Sequence, residues 1–237
     1  ADMEVNGRLI WDSDGPLLTV GSQGVEYALI DHWRAAGLIK REDITQGAGA
    51  VDRMLAVSGS VSPVTASQID WAEANGFAIV TLDAAAVACG DATAEERALS
   101  EALTALGQGQ DPLICTARGP EDPSVNRLRS AVSQAGIATD EANARIGAAL
   151  GRVLAQGLRQ TGLRRAVISG GDTSGHASRQ LGLYAFTALA PTVPGAALLK
   201  AHSEDQAFDG LQLALKGGQM GSPDYFGWIK RGGGAAG

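Results

Sequence analysis

Ala166-Val167-Ile168-Ser169-Gly170-Gly171-Asp172-Thr173-Ser174-Gly175 is the stretch whose reading decides the fold. An apolar run ends in paired glycines, small hydroxylated residues follow, and a helical pattern continues to Leu181. The same grammar occurs twice more. Met54-Leu55-Ala56-Val57 passes through Ser58-Gly59-Ser60-Val61-Ser62 into a helix opened by Pro63 and running to about Asn75. Leu17-Leu18-Thr19-Val20 passes through Gly21-Ser22-Gln23-Gly24 into a helix to about Ala36. Proline suits a first helical position because its missing N–H would be unpaired there anyway.

Further strands are expected at Phe77 to Leu82, after the turn Asn75-Gly76, and at Pro112 to Thr116. Helices fill the gaps at Thr93 to Leu106 and at about Asp140 to Gln160, where Ile146, Leu150, Val153, Leu154 and Leu158 recur at helical spacing. Strands alternating with helices predict an α/β protein, a three-layer α/β/α fold with a mixed, largely parallel sheet. The mixed character comes from the last third. Leu183 to Leu189, Ala196 to Ala201 and Leu211 to Leu215 lie close together, with Val193-Pro194-Gly195 as a turn, and are expected to pair antiparallel. A last helix is expected from Asp224 to Lys230.

Composition narrows the function. Of 237 residues, 45% are hydrophobic and 19% charged, with a net charge of −7, which excludes a disordered chain. The acidic balance, with a pI near 4.9, offers no basic stripe for nucleic acid. Leu181 to Leu199 carries no charge, but Pro191, Pro194 and Gly195 make it strand, turn and strand rather than a membrane span. Cys89 and Cys115 form no CxxC, and His32, His176 and His202 match no ligand spacing, so no metal site is expected and a cytoplasmic setting is. Glycine is the unusual residue: 32 of them, about twice the usual ~7% share. They sit in particular turns, where backbone can approach a ligand closely.

A Gly/Ser strand end leading into a helix leaves backbone N–H groups pointing outward beside the positive end of the helix dipole, an anion site. In the turn Gly170 to Ser174, the glycines would admit a phosphate. Asp172 could organise Mg²⁺ through water, and Thr173 or Ser174 could donate to phosphate oxygens. The same residues also read as a plain helix cap. Lys216-Gly217-Gly218-Gln219-Met220-Gly221 follows a strand and reads either as a phosphate contact from Lys216 with close glycines or as a glycine-rich strand end with a solvated lysine. Ser58-Gly59-Ser60-Val61-Ser62 reads as a phosphate loop or as ordinary Ser turns. No GxxxxGK[ST] and no GxGxxG after a strand is present, and Ser22 has no hydrolase context. Three such turns in one α/β chain favour a nucleotide site.

Taken together, Val20 to Leu29, Val57 to Thr65, Gly170 to Gly175, Val193-Pro194-Gly195 and Leu213 to Gly221 resemble the four-carbon acid sugar kinase family, mainly its C-terminal nucleotide-binding domain. The resemblance covers nearly the whole chain in order. It implies an ATP-dependent kinase that phosphorylates a threonate, erythronate or 3-oxo-tetronate type acid on its terminal hydroxyl, with ATP and Mg²⁺ as cofactors. The small acid sugar is then the other partner, and the surface is compatible with a homo-oligomer. It also implies that Ser58, Ser60, Gly170, Gly171, Asp172, Thr173, Ser174, Gly217 and Gly218 hold ATP. Residues 1–42 would close the sugar-binding domain, 43–231 would form the nucleotide-binding domain, and 232–237 a flexible tail. The family's opening Asp-Asp-x-Thr-Gly-Ala type motif is not matched, so the catalytic base is expected outside this chain. The alternative is a non-catalytic nucleotide- or phosphosugar-binding module of the same fold.

Overall fold

A computed structural model describes residues 2–40, 46–194 and 196–234. The chain forms two compact units, Ala1–Ile44 and Thr45–Gly237. The expected boundary at 42/43, Gly195 of the expected turn, and residues 235–237 of the expected tail lie outside the described residues.

The first unit pairs helix α1 (Asp2–Trp11) with α2 (Gly24–Ala35). A β-carbon on Gly7 would overlap the Ala28 carbonyl, so the two helices meet backbone to backbone. Trp11 and Trp33 stack edge to face, 5.2 Å between ring centres. The expected strand Leu17 to Val20 is absent: these residues have no strand partner among the described residues, and Leu18 and Val20 are almost fully exposed. So short a run makes a strand only when a neighbour takes its backbone groups.

Among the described residues the second unit is built on seven strands. They are β1 (Leu55–Ser58), β2 (Phe77–Thr81), β3 (Asp111–Cys115), β4 (Arg165–Ser169), β5 (Leu183–Pro191), β6 (Ala197–Ser203) and β7 (Gln212–Lys216). The sheet order is β2-β3-β1-β4-β7-β6-β5. The first five in that order run parallel. β6 pairs antiparallel with both β7 and β5, as the closely spaced runs of the last third predicted. β7 therefore serves both halves of the sheet.

Side chains alternate across each strand, and two cores result. On one face Leu55, Val57, Ala166, Ile168 and Leu213 pack against α5 (Thr93–Gly107), α7 (Thr139–Thr161) and α8 (Gly171–Gln180). On the other, Ala56, Leu113, Val167 and Ala214 pack against α3 (Pro63–Ala74) and α9 (Tyr225–Arg231). Two short-range helices went unread in the sequence, α4 (Ala84–Ala88) and α6 (Pro123–Ala135). Both start at the carboxyl edge of the sheet, where strands β2 and β3 end.

At the amino edge the buried Arg165 donates to the carbonyls of Gly49, Ile229 and Lys230 at 2.8, 3.2 and 3.0 Å and to Gln212 Oε1. Gly232 to Gly234 are also hydrogen-bonded, Gly234 N–H donating to the Pro191 carbonyl at 2.8 Å. Among the described residues no helix is long and apolar enough to cross a membrane. The uncharged run Leu181 to Leu199 forms β5 and the start of β6.

Candidate functional site

The carboxyl ends of β1, β4 and β7 bring the three glycine-rich turns together. Backbone bonds lock them: Gly59 N–H donates to the Ser169 carbonyl at 3.0 Å, and Gly170 N–H to the Lys216 carbonyl at 2.9 Å. Beside them lies a cleft of about 610 Å³. β1 and β4 are neighbours whose chains leave in opposite directions, β1 toward β2 and β4 toward β5, which is where open α/β sheets leave a crevice.

Close approach at this crossing requires glycine. A β-carbon on Gly59 would overlap Thr173 Oγ1, and one on Gly218 would overlap Ser60 Oγ. Gly170 has φ +122°, a conformation that side chains with a β-carbon rarely adopt. At Gly171 a β-carbon would meet nothing within 4 Å, so this position faces open cleft.

Four helices begin on the cleft: α3 at Pro63, α4 at Ala84, α6 at Ser124 and Val125, and α8 at Gly171. Each N-terminus carries partial positive charge and unpaired amides. Three are already answered from within the chain. Asp83 accepts from the amides of Ala85 and Ala86, Asp122 from that of Ser124, and Ser62 from that of Thr65. α8 is not: its N-cap is Gly170, which has no side chain to offer. Its first internal bond runs from Ser174 N–H to the Gly170 carbonyl, which leaves the amides of Gly171, Asp172 and Thr173 without helical partners. Asp172, Thr173 and Ser174 are thus inside the helix rather than its cap, and Ser174 Oγ instead donates to the Gly170 carbonyl at 2.6 Å. Among the described residues the lining includes no lysine or arginine, and Asp172 is its one charged residue.

Of the nine residues expected to hold ATP, Ser60, Gly170, Gly171, Asp172, Thr173 and Gly218 line this cleft. Ser58 is fully buried beneath it, Ser174 is turned back onto Gly170, and Gly217 sits one residue behind the lining. Lys216 does not reach the cleft. It is buried, with Nζ 3.1 Å from the Gly217 carbonyl and 3.4 Å from Thr65 Oγ1. His176 packs against Gly147 of α7, outside the lining.

Sequence reasoning missed the opposite wall, made by Val125 and Leu128 of α6 with Asn143 and Ile146 of α7. Asp122-Pro123 at the start of α6 was the available signal, an N-cap followed by proline at the first helical position. It also missed the clamp on the Gly217 to Gly221 loop. Ser62 Oγ and Thr65 Oγ1 both lie on the Gly218 carbonyl, at 2.5 and 2.9 Å, and Gln68 Nε2 donates to the carbonyls of Met220 and Ser222 at 2.9 and 3.1 Å.

Comparison with known proteins finds relatives over most of the chain. The family model of a nucleotide-binding C-terminal domain matches residues 55–226. The chain is 42% identical, over 95% of its length, to a Paraburkholderia graminis protein named 3-oxo-isoapionate kinase, covering 49% of that protein. It is 32% identical, over 89% of its length, to a Cupriavidus necator protein named 3-oxo-tetronate kinase, covering 45% of it. The chain thus spans about half the length of the curated relatives it matches. A solved Haemophilus influenzae structure shares the fold with a TM-score of 0.67 at 22% identity, over 96% of this chain and 50% of that one. A Bordetella bronchiseptica structure, a domain-swapped dimer with bound citrate, does so with a TM-score of 0.54 at 20% identity, over 97% and 49%.

Proposed function

This chain belongs to the family of nucleotide-binding C-terminal domains, and from that premise we propose that it is the ATP-holding part of a four-carbon acid sugar kinase. The reaction is transfer of the terminal phosphoryl group to the terminal hydroxyl of a 3-oxo-tetronate, threonate or erythronate type acid. The names of its relatives support the substrate class. The observation that carries the reading is the open N-terminus of α8, facing a cleft where three other helix starts are already capped.

In this reading the amides of Gly171, Asp172 and Thr173 receive phosphate oxygens, and Gly170 and Gly218 let the backbone come close. Val125, Leu128 and Ile146 give one end of the cleft an apolar wall suited to a nucleobase. Asp172 accepts no hydrogen bond among the described residues. A single carboxylate beside phosphates is an arrangement that suits Mg²⁺, which keeps several of its waters. ATP supplies the phosphoryl group and Mg²⁺ neutralises its charge; the protein's part is positioning and electrostatic stabilisation. In this reading the partners are ATP and a small acid sugar, and a cytoplasmic setting, where ATP is held, suits that chemistry.

Calorimetry with Mg-ATP tests this. The intact chain is expected to bind in the micromolar range, and Gly171→Val, whose β-carbon would meet no protein atom within 4 Å, is expected to lose most of that binding with little change in melting temperature. Equal binding by the variant would move the nucleotide away from α8.

A further inference from the structure

Resting on that nucleotide reading, we propose that Lys216 is a positioning residue for the phosphates. Its ammonium acts through Thr65 to favour the Ser60 hydroxyl as a proton donor to an anion in the cleft.

Among the described residues the cleft lining has no cation of its own, yet a row of small polar side chains and one lysine lies behind it. Cys115, Ser58, Ser169 and Lys216 occupy paired positions on four neighbouring strands, β3, β1, β4 and β7. Alternation puts them all on the α3/α9 face, and all are buried. Ser169 Oγ has no hydrogen-bond partner among the described residues. Lys216 is the sole charge in the row, and the elements packed on it bring no carboxylate. α3 presents Thr65, β4 presents Ser169, and α9 presents the Tyr225 ring 5.8 Å away, whose own phenol is pushed up to about 12 by burial. Burial alone depresses the lysine to about 8. A buried ammonium without an anion is costly, so the fold maintains it against its own stability.

The hydrogen bonds give the charge a direction. Lys216 Nζ donates to Thr65 Oγ1 at 3.4 Å. The Thr65 proton has two acceptors in reach, the Gly218 carbonyl at 2.9 Å, which Ser62 Oγ also reaches at 2.5 Å, and Ser60 Oγ at 3.0 Å; an anion that takes the Ser60 proton draws the Thr65 proton onto Ser60. Ser60 Oγ also accepts from the Ser62 amide at 3.3 Å. With Thr65 and the Ser62 amide both donating to it, Ser60, which lines the cleft, gives its own proton to the bound anion. Chains of donors polarise one another and strengthen the last bond in the line. An anion at Ser60 therefore favours the charged lysine, and nucleotide binding takes up a proton where free Lys216 is partly neutral.

The test is calorimetric titration of the whole chain with Mg-ATP from pH 7.5 to 10, in two buffers of unlike ionisation heat. The nucleotide's own phosphates stay fully ionised over this range. Affinity is expected to fall about tenfold or more from pH 8 to pH 10, as the lysine loses the charge that favours the bound anion. Proton uptake should appear near pH 8 to 9. Thr65→Val and Lys216→Met should each weaken binding about tenfold at pH 7.5 and flatten the profile, and Thr65→Ser should restore both. A flat wild-type profile without proton uptake, or a sloped one in Lys216→Met, overturns the role of Lys216 and leaves the nucleotide site standing. No binding at any pH by folded wild-type chain overturns the nucleotide reading and this inference with it.

Discussion

Two buried cations sit at opposite edges of one sheet, on adjacent strands. Arg165 opens β4 and is 1% exposed; Lys216 closes β7 and is 2% exposed. Arg165 is surrounded by acceptors, three main-chain carbonyls and Gln212 Oε1, and two of those carbonyls end α9. Beside it Asp111 pairs with Lys230 at 2.5 Å and accepts from the Met54 amide at 2.8 Å. Lys216 has one carbonyl and one hydroxyl at the long end of hydrogen-bond range, and no anion. Equal depth of burial thus hides two different purposes. A buried polar group whose partners are all supplied by the chain is structural, and one left short of partners beside a cleft is kept for something the chain does not contain.

The contrast breaks most visibly at Arg165. Arg165→Met would leave the Gly49, Ile229 and Lys230 carbonyls without their donor in the interior. The expected loss is about 3–5 kcal/mol, a fall in melting temperature of roughly 10 °C. A fall of only a degree or two would mean that the amino edge is no better satisfied than the carboxyl edge.

Lys216→Met should move stability the other way, by about 1–3 kcal/mol in favour of the variant, because it removes an uncompensated buried charge. The pH dependence has a definite sign. Unfolded, the lysine holds its proton to its ordinary 10.5; folded, it releases it near 8. Between these values the unfolded chain binds more protons, so wild-type stability rises from pH 8 to pH 10.5 and is flat beyond. Denaturant unfolding at pH 7.5 and 10 should show that rise in wild type and not in Lys216→Met.

The smallest expected effect separates the capped helices from the open one. Asp122→Ala removes the side chain that answers the N-terminus of α6. It should cost about 1 kcal/mol in thermal unfolding and leave Mg-ATP affinity within about twofold. A large loss of affinity would bring α6 into the phosphate site.

The parts of the fold written in local pattern were legible in the sequence. β1, β2, β3, β4 and their following turns carry the alternation of apolar runs and Gly/Ser that marks parallel strands, and Ser62-Pro63 marks the start of α3 to the residue. Leu17 to Val20 has the same local pattern and is no strand, because strand formation is decided by a neighbour that pattern cannot show. At the site, Gly59, Gly170 and Gly218 were legible because close approach or a positive φ leaves no other choice of residue there. The wall from Val125, Leu128 and Ile146 was not, since those residues are ordinary helix-face apolar positions until the sheet order places α6 and α7 over the cleft. The burial of Lys216 was equally hidden: Leu215-Lys216-Gly217 reads as a strand end reaching solvent. Only pairing with Ser169, under α3 and Tyr225, turns it inward.

The central claim is where the nucleotide lies. The most direct measurement is a crystal structure of this chain with a non-hydrolysable ATP analogue and Mg²⁺. The phosphates are expected on the amides of Gly171, Asp172 and Thr173, with Ser60 Oγ donating to one of their oxygens and the base against Val125 and Ile146. Phosphates bound elsewhere on the chain, with the start of α8 left to solvent, would contradict the account.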